Sequence, residues 1–225
     1  MSSKCVRLVI GRRLERLSER TPKVLTAAAV LGLRQPEQGV DVQNPGRWYG
    51  PAHAGLFLTK CYAGHDDAMR FLYDSFDVEQ IGAVRSTGGW WGLVLAAEGL
   101  AVLGERELLA KLYPRIAEAA RTDWVLTCVG FQQSKKVGGL AAAAIGNYDE
   151  SETFFRDALE EAERIPIKLE QPEVRRWYAK MLTDRAAPGD RENARELLDE
   201  AIDGYRTLGM PRHLEMAQEL LDELR

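Results

Sequence analysis

The chain has 225 residues, 45% apolar and 28% charged, with a formal net charge of −4 at pH 7. That composition is ordinary for a soluble protein, its size supports one extended repeat domain or two small ones, and its mild acidity excludes a polybasic nucleic-acid binder. Cys5, Cys61 and Cys128 lie far apart without CxxC spacing, which points to reduced thiols in a cytoplasmic protein rather than a disulfide frame or a zinc site.

Residues 1–34 read as helical. Leu14 and Leu17, then Val24, Leu25, Ala28 and Leu31, recur at helical spacing. Thr21-Pro22 is a helix-start signal, and Gly32 closes that helix. The apolar run Val6 to Ile10, broken by Arg7, is too short for a signal peptide, and no segment approaches the roughly 18 apolar residues of a membrane span. Gln35 to Pro51 is rich in turn residues and reads as a linker. Residues 1–50 therefore form an N-terminal helical segment with a linker, and residues 51–225 a repeat domain.

Four glycines set the rhythm of that domain: Gly64, Gly104, Gly146 and Gly189. Each follows an apolar stretch and precedes a short polar run and a second amphipathic stretch. The spacing predicts helix pairs over 52–63 and 66–76, 90–103 and 105–121, 126–145 and 148–164, and 172–185 and 191–208. A last helix over 211–224, acidic at Glu215, Asp222 and Glu223, suits a solvent-facing cap. The second helices match one another in register. The fifth residue after the glycine is Met69, Leu109, Ser151 or Ala194, the ninth Tyr73, Tyr113, Phe155 or Leu198, and the twelfth Phe76, Ile116, Ala158 or Ala201. The glycines are expected to stop each first helix in a left-handed conformation. Gly88-Gly89-Trp90-Trp91-Gly92, without a lysine or a preceding strand, reads as a loop entering a helix rather than a phosphate cradle.

These residues resemble the tetratricopeptide repeat family. The third repeat carries the resemblance in Gly146-Asn147-Tyr148-Asp149-Glu150-Ser151, Phe155, Ala158-Leu159 and Pro166. Gly138, Gly139 and Ala142 depart from the family pattern, and the period exceeds the family's ~34 residues. The resemblance implies a right-handed α-solenoid of about four helix pairs. A narrower resemblance is to the C-terminal helical region of large bacterial ATP-binding regulators with LuxR-type DNA-binding or adenylate-cyclase domains. Residues 187–198 and Leu208-Gly209-Met210-Pro211 look like its closing repeat, and residues 11–18 and 24–32 like the segment after the ATPase core. No GxxxxGK[ST] phosphate loop occurs, so no ATP site is expected.

His53, His65 and His213 lack metal-ligand spacing, and Cys61 and Cys128 fall on apolar faces, so no catalytic residue, metal or cofactor is expected. The first helices of a tetratricopeptide array line its concave face. Lys60, Gln132, Gln133, Lys135, Lys136, Arg175, Arg176 and Lys180 would bring basic and amide groups there, near Trp90, Trp91, Trp124, Phe131, Trp177 and Tyr178. Aromatic and cationic groups in a groove suit a peptide carboxylate, an acidic segment or an anionic ligand. Gln132-Gln133-Ser134-Lys135-Lys136 is more polar than a buried helix needs. The expected function is a non-enzymatic scaffold for a protein or peptide partner in bacterial regulation. The alternative is a small-molecule sensor with its pocket between the first helices, near Trp90, Trp124 and Phe131. Nucleic acid and membrane are not expected partners. The apolar helix from Pro22 to Leu31 could dock on the first repeat or on a second copy, as a homodimer.

Overall fold

The computed structural model describes residues 50–83, 87–122, 133–165 and 168–224. The backbone divides between Pro45 and Gly46 into two units, and all of these residues belong to the second. The helix expected within residues 1–34, most of the linker, and the candidates Gln132, Trp124 and Phe131 lie outside the described residues.

The described chain is all-α: nine α-helices, one 3₁₀ turn at Val78–Gln80 and no strand among the described residues. In order they are α1 (Gly50–Tyr62), α2 (Ala68–Ser75), α3 (Thr87–Leu103), α4 (Arg106–Ala120), α5 (Ser134–Ala144), α6 (Tyr148–Arg164), α7 (Glu170–Arg185), α8 (Asp190–Leu208) and α9 (Pro211–Glu223). The bounds fall within a few residues of the sequence expectation for every helix but α5, whose expected first turns lie outside the described residues. Gly88-Gly89-Trp90-Trp91-Gly92 is a correction: it belongs to the first turns of α3, not to a loop. No described helix is long and apolar enough to cross a membrane.

Three of the four rhythmic glycines end a helix as expected. Gly64, Gly104 and Gly146 have φ of 70°, 76° and 79°. After each, the next N–H reaches back five residues, from His65 to the Lys60 carbonyl (3.0 Å), Glu105 to Leu100 (2.9 Å) and Asn147 to Ala142 (3.0 Å). This bond satisfies a carbonyl that the helix end would otherwise leave open. A Cβ at any of the three would meet nothing within 4 Å, so the backbone conformation, not space, demands glycine. The fourth differs. Ala186, at φ 53°, ends α7, and Gly189 stands before α8 as its N-cap. The repeating end instead recurs at Gly209, where Met210 N–H bonds to the Tyr205 carbonyl at 3.0 Å.

Each helix packs on the next in the chain from α3 to α9, α1 packs on α2 and α3, and α3, α5 and α7 also touch one another in succession. Close packing around α5 depends on its small residues. A Cβ on Gly138 would lie 2.6 Å from the Ala120 Cβ of α4, and one on Gly139 2.8 Å from the Phe155 ring of α6. The apolar core forms two main clusters, one around Phe57, Leu72, Leu93, Leu112 and Val137, the other around Phe155, Trp177, Met181, Leu198 and Tyr205. The matched offsets of the second helices are buried at Ile116, Phe155, Ala158, Leu198 and Ala201. Tyr73 departs from them, being 57% exposed on α2.

Candidate functional site

Helix α3 is apolar along nearly its whole length and carries a single charged residue, Glu98. An ionised side chain in such a helix must be paired or pay several kcal/mol in lost hydration. Its partner comes from α5. Lys136 Nζ stands 3.0 Å from Glu98 Oε2 and 3.0 Å from Glu170 Oε2, and donates to Glu170 Oε1 at 3.1 Å. Glu170 opens α7, and one turn later Glu173 takes the guanidinium of Arg176 at 2.9 Å. The Lys136 and Arg176 side chains are 1% and 2% exposed, and those of the three glutamates 3–7%.

Tyrosines from the two ends of the described chain close the cluster. Tyr62, the last residue of α1, donates to Glu98 Oε1 at 2.7 Å and lies 3.1 Å from Glu173 Oε2. A phenol has one proton, so the shorter bond to Glu98 takes it, and the oxygen is left to accept from Arg176 at 3.3 Å. Tyr205 of α8 accepts from Arg176 Nε at 3.1 Å and donates to Glu173 Oε1. His213 of α9 lies with its ring 4.8 Å from that of Tyr62 and its Nε2 3.6 Å from Glu173 Oε1.

Three carboxyl groups thus face two cations in the buried interior. Burial raises the Glu170 carboxyl to about 8, against the pull of Lys136 and with help from Glu98 and Glu173. That shift favours the neutral carboxyl, which brings the cluster toward charge balance. Glu173 behaves oppositely. Burial would raise it, but Arg176, His213, Lys136 and the Tyr205 hydroxyl outweigh burial and hold it at about 2. Burial would lower the Lys136 ammonium, yet the surrounding glutamates hold it above its ordinary value. Burial also keeps the His213 imidazole below its ordinary value despite Glu173. The Cys61 thiol, buried nearby on α1, is pushed up to about 12 and is a poor nucleophile.

The sequence-selected residues therefore part company. Lys136 and Arg176 come together, but inside, corrected from an open groove to a cluster of internal ion pairs. Gln133 is also fully buried, and neither atom of its amide has a hydrogen-bond partner. Lys135, Arg175 and Lys180 point elsewhere. Lys135 pairs with Glu161 of α6, Arg175 bonds Glu163 at 2.8 Å and Glu200 at 2.5 Å, and Lys180 bonds Asp184 at 2.6 Å. Trp90 is half-buried in α3, and Lys60 pairs with Asp67 at 2.8 Å. Sequence reading missed Tyr62, Glu98, Glu170, Glu173 and Tyr205. The lone acid of α3 was the signal that could have found the cluster.

One helical turn beyond this layer the same helices frame a cleft. Ala101, Leu140 and Trp177 follow Glu98, Lys136 and Glu173 by three or four residues and line it, with Leu109, Phe155 and Met181. Arg106, Lys180 and Asp184 stand at its rim. Among the described residues no group of three or more His, Cys, Asp or Glu side chains is placed to hold a metal ion. Comparison with protein-family models, curated proteins and solved structures gives no match for this chain.

Proposed function

We propose that the chain is a non-enzymatic, right-handed α-solenoid of four tetratricopeptide-like helix pairs, α1–α2 to α7–α8, capped by α9. In this reading it serves bacterial regulation by binding a protein or peptide partner along its first helices. The shared register of α3, α5 and α7 supports the repeat arrangement, and the observation that carries partner binding is the set of partly exposed cations Lys135, Arg175 and Lys180 on α5 and α7. The recurring glycine turns, and the resemblance to the helical region of bacterial ATP-binding regulators, support the same reading.

The cations open to a partner are Lys135, Arg175 and Lys180. Each is partly exposed and already held by a carboxylate, which an acidic segment of a partner would replace. Lys135→Glu with Arg175→Glu tests this surface. Affinity capture from the source cell should lose a partner that the native chain retains, while circular dichroism and Tm stay close to native. An unchanged set of captured proteins would remove this surface from the proposal. Lys136 is unsuitable for such a test, because glutamate there would place another carboxyl among three buried ones.

A second reading, a small-molecule sensor, is favoured by the cleft between α3, α5 and α7. A thermal-shift screen separates the two, since a sensor gains stability with its ligand.

A further inference from the structure

We infer that the cleft one turn beyond the ionic cluster takes a small organic monoanion, a short apolar body ending in a carboxylate. The inference rests on the small-molecule reading and names its ligand class. The floor of the cleft is apolar, made by Leu109, Leu140, Phe155 and Met181. Its charge is one-sided. Arg106 donates to Asp184 at 2.8 Å and Lys180 to the same carboxylate at 2.6 Å, so two cations share one anion. The rim carries one positive charge in excess, which a single carboxylate would complement.

Trp177 supplies an independent mark. It lines the cleft, is 6% exposed, and its indole N–H is buried without an acceptor. Such a donor costs roughly 1–3 kcal/mol while it stays unmade, and because the ring lines the cleft its indole resonance reports on what enters there. The cleft volume of about 100 Å³ suits a body of a few carbons.

The test uses the full chain labelled with ¹⁵N, its Trp177 indole resonance assigned from Trp177→Phe, and three probes: 3-methylbutanoate, its neutral amide, and inorganic phosphate. 3-Methylbutanoate should shift the Trp177 indole resonance saturably. Lys180→Gln should weaken it about tenfold, as loss of a charged hydrogen bond does. Asp184→Asn should strengthen it, by freeing both cations. Equal binding of the amide overturns the anion assignment and leaves the small-molecule reading standing. An equal effect of phosphate overturns the apolar part of the class. Unchanged affinity in folded Lys180→Gln overturns the site, and no response of the indole to any probe overturns the inference, while the thermal-shift screen separately decides the small-molecule reading beneath it.

Discussion

Lys135 and Lys136 are neighbours of equal charge, and so are Arg175 and Arg176, yet each pair has one member outside and one inside. Successive residues on a helix point about 100° apart. On α5 and α7 that angle separates a screened surface from an interior with the three glutamates. Lys135 and Arg175 meet carboxylates at the edge of water, and Lys136 and Arg176 meet theirs buried in the core. The same chemistry then has opposite consequences. Outside, an ion pair is replaceable and suited to exchange with a partner. Inside, it is a fixed condition of the fold, because removing either charge strands the other.

Substitutions can break this contrast. The largest effect is expected from Lys136→Met or Arg176→Met, each leaving carboxyl groups buried without their cation. Either should cost about 3–5 kcal/mol in urea unfolding, and a loss below about 1 kcal/mol would mean the cluster is hydrated or loosely held. Glu170→Gln should act through pH. Facing Lys136, Glu98 and Glu173, Glu170 has a folded value near 8 against an ordinary 4.5. Between those values the unfolded chain gives up the proton while the folded chain retains it. Its contribution is therefore fully present below pH 4.5 and is lost as pH rises toward 8. The urea midpoint of the native chain relative to Glu170→Gln should fall across that window, and parallel profiles would contradict a protonated Glu170. The smallest effects belong to Lys135→Ala and Arg175→Ala, each within about 1 kcal/mol by the same measurement.

Much of the helical pattern was legible in the sequence, because helix ends are local events. Tyr148–Arg164 is bounded in sequence by Gly146-Asn147 on one side and Pro166 on the other, and the observed helix spans the residues expected. The glycine rule failed at Gly189 because Ala186 takes the left-handed position three residues earlier, a substitution of roughly 1 kcal/mol that no spacing reveals. The candidate site was less legible. Lys136 belongs to the polar run Gln133-Ser134-Lys135-Lys136, and a polar run reads as a surface. What buries it is Glu98, 38 residues earlier, and Glu170, 34 residues later. Sequence periodicity fixes which face of a helix a residue occupies, but not which charge lies opposite on another helix.

Tyr62 and His213 carry one further consequence. In a linear array of helix pairs each unit feels only its neighbours, so the array can melt from one end. Here the end of α1 rests against α9 through two rings 4.8 Å apart, and the same tyrosine bonds to Glu98 of α3 and lies against Glu173 of α7. This link ties together segments 151 residues apart, and α9 cannot fray without exposing the tyrosine that anchors α1. Fraying at one end is thereby coupled to the other, and the second unit should unfold in one concerted step rather than as a sequence of separable repeats.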